Sequence, residues 1–114
     1  VSIDTQTSPV IAVRPPEYFP GLPYAALLQR ADRFVLADTF EYSRRSFQNR
    51  ARLRTPQGAQ WITVPVASGQ THRPVAEVEI DNGTGDEAPS GAHWRSRHWR
   101  AMQYDYRSTP YFEL

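Results

Sequence analysis

The stretch Arg14-Pro-Pro-Glu-Tyr-Phe-Pro-Gly-Leu-Pro23 holds four prolines in ten residues. Proline fixes φ and has no N–H, so this stretch can be neither helix nor strand and must be a stiff, ordered loop. What flanks it then limits the fold. Pro9-Val-Ile-Ala-Val-Arg14 is a short, β-branched apolar run that reads as a buried strand. Beyond the loop, Tyr24, Leu27, Leu28 and Ala31 recur at helical spacing, and Arg33-Phe-Val-Leu-Ala37 reads as a second strand ending at Asp38. Strand, loop, helix and strand in so short a span make a βαβ unit, with parallel strands and a right-handed crossover.

The next segments alternate with period two. Ala51 to Thr55 and Gln60 to Val66 flank Pro-Gln-Gly-Ala and predict a β-hairpin. Val75 to Ile80 reads as a further strand with Ala76, Val78 and Ile80 toward the core and Glu77 and Glu79 toward water. A Gly/Asp/Pro/Ser loop from Asp81 to Ala92 leads to a last helix of about His93 to Tyr106. The expected class is α/β: a Rossmann-like βαβ core in a mostly parallel sheet, with a β-hairpin and a C-terminal helix. Residues 1–9 read as a tail and residues 10–114 as one α/β domain, a length that can bury a modest single core.

Composition removes several chemistries. The chain has no cysteine and no lysine; all 13 basic residues are arginine. Disulfides, thiolate metal sites, thiol nucleophiles, Schiff bases and a P-loop lysine are therefore excluded within it. His93 and His98 are five apart and His72 is distant, so no HxxxH-type metal pair exists, and no metal or other cofactor is expected. No apolar run approaches the roughly 18 residues of a membrane span. Val1 to Pro9 lacks the basic region and apolar core of a signal peptide, so a cytoplasmic location is expected. Net charge is +1, which speaks against a nucleic-acid-binding face. The charge is uneven: six arginines and no acid lie between Tyr42 and Ala76, and five acids and no base between Glu77 and Glu87. Such asymmetry can focus an anion in a cleft, or leave two solvated faces that neutralise one another.

Ligands of open α/β sheets bind beyond the carboxyl ends of the strands. Arg14, Tyr18 and Tyr24 flank that place in the first βα loop, and Asp38 ends the neighbouring strand. Arginine can pair an anion bidentately and tyrosine can stack on a sugar or base; equally, Tyr18 and Phe19 can cover a sheet edge. The densest polar cluster is Ser43-Arg-Arg-Ser46 with Gln48-Asn-Arg50. On a strand, Arg44 and Arg45 point opposite ways, so one alone can join Arg50 at a ligand. His98 shares a helix face with Trp94, as a hydrogen-bonded packing residue or as a general base. Trp94, Trp99, Met102 and Tyr106 read as core packing.

These residues also carry a family resemblance. Tyr18-Phe19-Pro20, Tyr24, Ala31-Asp32, Phe34-Val35 with Asp38, and Ser46-Phe47-Gln48-Asn49-Arg50 resemble, in order, the WbqC-like family. So do Thr55-Pro56-Gln57-Gly58, Trp61-Ile62-Thr63-Val64-Pro65-Val66, Val78-Glu79-Ile80-Asp81, Trp94, His98, Tyr106 and Pro110-Tyr111-Phe112. The resemblance covers residues 10 to 114 and implies the N-terminal part of a longer protein. It departs at the usual Gln-Pro-Asn-Tyr start, here Arg14-Pro15-Pro16-Glu17, and in the following stretch of Trp and Gly, here Gly21 and Pro23. The Asn-Arg-Asn triplet is here Asn49-Arg50-Ala51, and the paired aspartates are here Ala37-Asp38. The family occurs in O-antigen gene clusters, and the resemblance implies glycine, aminoacyl or acyl transfer onto a sugar in surface-polysaccharide synthesis. Such chemistry needs an anion held by arginines and a base for the attacking amine. The expected site is therefore Arg14, Arg45 and Arg50 on the anion, Asn49 for orientation, Tyr18 and Tyr24 against the substrate, and Asp38 or His98 as base. The expected partner is a nucleotide sugar or other anionic small molecule. Two alternatives stay open: a non-catalytic nucleotide-sugar- or partner-binding module, as in a truncated inactive copy, and a homodimer that completes its sheet.

Overall fold

A computed structural model of the chain describes residues 8–83 and 93–113. The tail over residues 1–7 and most of the acidic loop fall outside them. The βαβ unit forms as its pattern predicts. Strand β1 (Ile11–Arg14) and strand β2 (Arg33–Leu36) are parallel, with Ile11 opposite Arg33 and Arg14 opposite Leu36. Helix α1 (Leu22–Arg30) connects them, entering from an extended Gly21 with a proline in its first turn, where the missing N–H costs nothing. It stops because Ala31 turns extended and Asp32 binds elsewhere: the Asp32 carboxylate accepts the Val10 N–H at 2.7 Å, and the Asp32 N–H donates to Val10 O at 2.8 Å. Tyr24 is buried against Phe34, with ring centroids 5.2 Å apart, so α1 covers the Ala12 and Phe34 face. Ile11, Val13 and Val35 lie on the other face and stay exposed.

Strands β3 (Arg50–Thr55) and β4 (Gly58–Thr63) form an antiparallel hairpin with Thr55 opposite Gly58. Gly58 has a φ of 121°, a region open to glycine and strained for other residues. The Thr55 hydroxyl secures the turn, donating to Gly58 O at 2.9 Å and accepting from Gln57 N at 3.2 Å. Expected to run to Val66, β4 ends at Thr63; Val64 adds one bond to Asn49 O, and Pro65 has no N–H to continue the ladder. Alternation then divides the faces: Ala51, Leu53 and Ile62 are buried in one cluster, with Ala101, Met102 and Tyr106 packed on it. The last three belong to helix α2 (Trp94–Tyr106). Each fully buried aliphatic side chain of this kind contributes about 1.5–3 kcal/mol. Trp99, expected in the core, faces solvent instead, because the buried stripe is Trp94, His98, Ala101, Met102 and Tyr106.

Two expectations need correction. Among the described residues the sheet is not a mostly parallel Rossmann sheet; it is a two-stranded parallel pair and a separate two-stranded hairpin. And Val75 to Ile80 is not a strand. Residues Val75–Glu77 form a 3₁₀ turn after Pro74. The segment divides its backbone between two neighbours, Val75 N and Ala76 N going to Phe40 O and Asp38 O, and Glu79 O and Ile80 to the segment at Val66–Ala67. The Gln70 side-chain oxygen also takes the Glu79 N–H at 3.1 Å. No single ladder remains; Ala76 and Ile80 are exposed and only Val78 is half-buried. The segment nevertheless ties the βαβ unit to the end of the hairpin.

Candidate functional site

The loop from Ser43 to Asn49 folds around Gln48. Its side-chain oxygen accepts the Ser43 N–H at 3.0 Å and the Ser46 hydroxyl at 3.2 Å, and its amide nitrogen donates to Glu41 O at 3.4 Å. Arg50 closes the loop from the hairpin side: its Nε donates to Ser46 O at 3.0 Å and its Nη2 to Arg45 O. The Arg50 guanidinium also lies 4.1 Å from the Trp61 ring centre, a cation–π contact on the hairpin's outer face. The segment is therefore a tight turn with Arg45 at φ 62°, which is uncommon for a residue with a side chain.

That turn changes where the arginines go. Arg44, Arg45 and Arg50 all line one cavity of about 260 Å³, with Tyr42, Asn49 and Val66 in its wall. The expectation that Arg44 and Arg45 diverge holds for a strand and fails here, because the backbone reverses between them. Arg50's fork is partly spent on loop carbonyls; the Arg44 and Arg45 guanidinia have no hydrogen-bond or ion-pair partner among the described residues. Among the described residues no carboxylate lines the cavity. Guanidinia so placed favour an anion through charge-assisted, bidentate hydrogen bonds. A second polar cavity of about 280 Å³ continues from it past Arg44 to Ser68, Gln70 and Thr71.

Asn49 joins the two halves of the hairpin's end. Its amide nitrogen donates to Val64 O at 3.0 Å, which fixes the amide's orientation, and its Oδ1 is buried with no hydrogen-bond partner among the described residues. An unpaired buried acceptor costs about 1–3 kcal/mol. Asn49 lines the arginine cavity and also an apolar cavity of about 260 Å³ behind it.

Tyr18 also lines that apolar cavity, and His98 is hydrogen-bonded to Tyr18. The Tyr18 N–H donates to Phe47 O at 2.9 Å, drawing the proline-rich loop against the arginine loop. His98 is buried, and its Nε2 lies 3.1 Å from Thr63 O. A carbonyl only accepts, so Nε2 carries the proton, and Nδ1 accepts the Tyr18 hydroxyl at 2.8 Å. Burial pushes the His98 pKa below its ordinary value, opposed by the hydrogen bond to Thr63 and aided by Arg97. Burial likewise raises the Tyr18 pKa, keeping its hydroxyl protonated.

The sequence-derived candidates thus fall into three places. Arg45, Asn49 and Arg50 converge, with Tyr18 and His98 beside them. Arg14 and Tyr24 belong to a separate cluster: Arg14 pairs with Glu17 at 3.2 Å and lies 5.7 Å from the Tyr24 ring centre, and the Tyr24 hydroxyl donates to Pro15 O at 3.1 Å. Burial and Glu17 raise the Tyr24 pKa, and Arg14 works against them. Asp38 is exposed at the end of β2, its carbonyl bound to Ala76 N, and it lines none of these cavities. Sequence reasoning missed Arg44 and the buried Tyr42, which lines all three cavities. The Ser-Arg-Arg-Ser signal was present for Arg44; the turn that redirects it was not. Among the described residues no three His, Asp or Glu side chains come together to hold a metal, and no helix is long and apolar enough to cross a membrane.

These features define a small α/β domain with an arginine-lined cavity at the mouth of a β-hairpin. The chain belongs to the WbqC-like protein family, which it matches over residues 15–114. It is 35% identical over 103 residues to the uncharacterized protein Rv1507c of Mycobacterium tuberculosis (strain ATCC 25618 / H37Rv). That similarity takes in 90% of this chain and 41% of the relative, so the chain spans about two-fifths of the relative's length. No solved structure matches it.

Proposed function

We propose that this domain is the anion-holding part of a cytoplasmic transferase that moves an acyl or aminoacyl group onto the amine of an activated sugar, in bacterial surface-polysaccharide synthesis. The observation that carries the reading is the convergence of Arg44, Arg45 and Arg50 with Asn49 on one cavity that no carboxylate lines among the described residues. In such a transfer the sugar nitrogen bonds to the carbonyl carbon of an activated donor as the carbon–leaving-group bond breaks. The amine loses a proton as it attacks. Tyr18, in the wall of the adjoining cavity, accepts that proton while passing its own hydroxyl proton to His98 Nδ1. Burial keeps His98 neutral, so its Nδ1 is open to that proton, and makes it a weaker base than a free imidazole. Asp38 is the weaker candidate, since it lines no part of the cavity.

Titration of the chain with a nucleotide sugar tests the anion site. Arg44→Ala and Arg45→Ala are each expected to weaken binding about tenfold, the loss of one charge-assisted hydrogen bond of roughly 1.5–3 kcal/mol. Arg14→Ala is expected to leave it unchanged. Equal affinity in all four proteins contradicts the assignment. A second reading is a binding module without turnover, favoured by a lining that, among the described residues, consists of arginine, amide, hydroxyl and apolar side chains. It predicts the same affinities and no product with any acyl donor.

A further inference from the structure

The apolar cavity behind Asn49 has no role in anion binding. Its volume is about 260 Å³, room for several carbons when one water occupies about 30 Å³. Its wall includes Val64, Val66, Val75, Val78, Ile80 and Trp94, and it shares Tyr42, Asn49, Val64 and Val66 with the arginine cavity. We propose that it receives the uncharged, short acyl chain of an N-acylated sugar phosphate whose phosphate lies on Arg44 and Arg45. The proposal rests on the anion-binding reading above and narrows it from acyl or aminoacyl groups to acyl.

Three of the polar tips in the wall are already used. The Trp94 indole N–H donates to Asn82 Oδ1 at 3.1 Å, the Tyr18 hydroxyl donates to His98, and Gln48 is spent on Ser43, Ser46 and Glu41. Among the described residues no charged side chain lines the cavity. An ammonium, as on a glycyl group, finds no counter-charge there, and burying an unpaired charge is strongly unfavourable. An alkyl chain loses nothing. Asn49 lines both cavities and marks their junction. Anionic head and alkyl tail thus meet arginines and an aliphatic wall in that order.

The test is calorimetric titration of the chain with inorganic phosphate, glucosamine 1-phosphate, and its N-acetyl, N-butanoyl and N-glycyl derivatives. The butanoyl compound is expected to bind about fifteenfold more tightly than the acetyl one, from roughly 0.8 kcal/mol for each of two added methylenes. The glycyl compound is expected to bind no better than the free amine. Val78→Phe and Ile80→Phe, which fill the cavity, are expected to remove the butanoyl advantage while inorganic phosphate binds as before. Equal affinity for all four sugar phosphates, or glycyl matching butanoyl, with phosphate binding intact, overturns the acyl subsite and leaves the anion site standing. Loss of the difference in neither phenylalanine variant also overturns it. If inorganic phosphate and every sugar phosphate fail to bind the wild-type chain, the anion reading itself falls and takes the acyl subsite with it.

Discussion

The β3–β4 hairpin and the β1–β2 pair are both two-stranded, yet they bury their apolar residues very differently. Ala51, Leu53 and Ile62 of the hairpin are 3%, 7% and 5% exposed, whereas Ile11, Val13 and Val35 of the parallel pair are 57%, 54% and 46% exposed. The hairpin presents one apolar face, and α2 within the described chain covers it. Parallel sheets ordinarily need cover on both faces, and α1 supplies only one. Apolar patterning therefore reports that a residue belongs to a strand; it does not report what lies over it.

Truncation on the two sheets puts the sharpest strain on this comparison. Leu53→Ala or Ile62→Ala is expected to cost about 3 kcal/mol in chemical denaturation, the transfer loss plus a cavity. His98→Ala, which empties the helix–hairpin junction and leaves Tyr18 and Thr63 O without their partner, is expected to cost about 2 kcal/mol. Tyr18→Phe keeps the ring and removes only the donor to Nδ1, for about 1 kcal/mol. Val13→Thr or Val35→Thr, on the open face, is expected to change stability by no more than about 0.5 kcal/mol. A large loss at Val13 or Val35 would show that this face is covered in solution.

His98 also gives the hairpin side a pH dependence. Its folded pKa lies below the ordinary 6.5, so as pH falls the unfolded chain takes up the proton first. Stability from this group is complete above about 6.5 and declines below it until the folded pKa is reached. The melting temperature of the wild type is expected to drop through that window, and His98→Gln is expected to flatten that part of the profile.

The βαβ order and the hairpin could be read from the chain because each rests on local rules: prolines that forbid regular structure, β-branched runs, and a glycine after a Thr-Pro-Gln turn. The division of the hairpin into an inner Ala51/Leu53/Ile62 face and an outer arginine face followed from alternation alone. Val75 to Ile80 misled because alternation was satisfied there as well, while Pro74 and the Gln70 side chain redirected its hydrogen bonds. Period-two reasoning weighs neither the adjacent proline nor a side chain nine residues away. The site was legible in composition and not in geometry. The Arg-Arg pair was visible, but its meeting at one cavity depends on Arg45 adopting a positive φ, held by a Gln48-centred loop whose bonds skip two to seven residues.

That meeting is the central claim, and it is measured most directly by a double-mutant cycle on Arg44 and Arg45. The dissociation constant of inorganic phosphate would be determined for the wild type, Arg44→Ala, Arg45→Ala and the double variant at fixed, low salt. The turn geometry predicts that each single change weakens phosphate about tenfold and that the double variant differs from the sum of the two, as for residues sharing one partner. A phosphate site that responds to only one of the two arginines, as opposite faces of a strand would dictate, contradicts it.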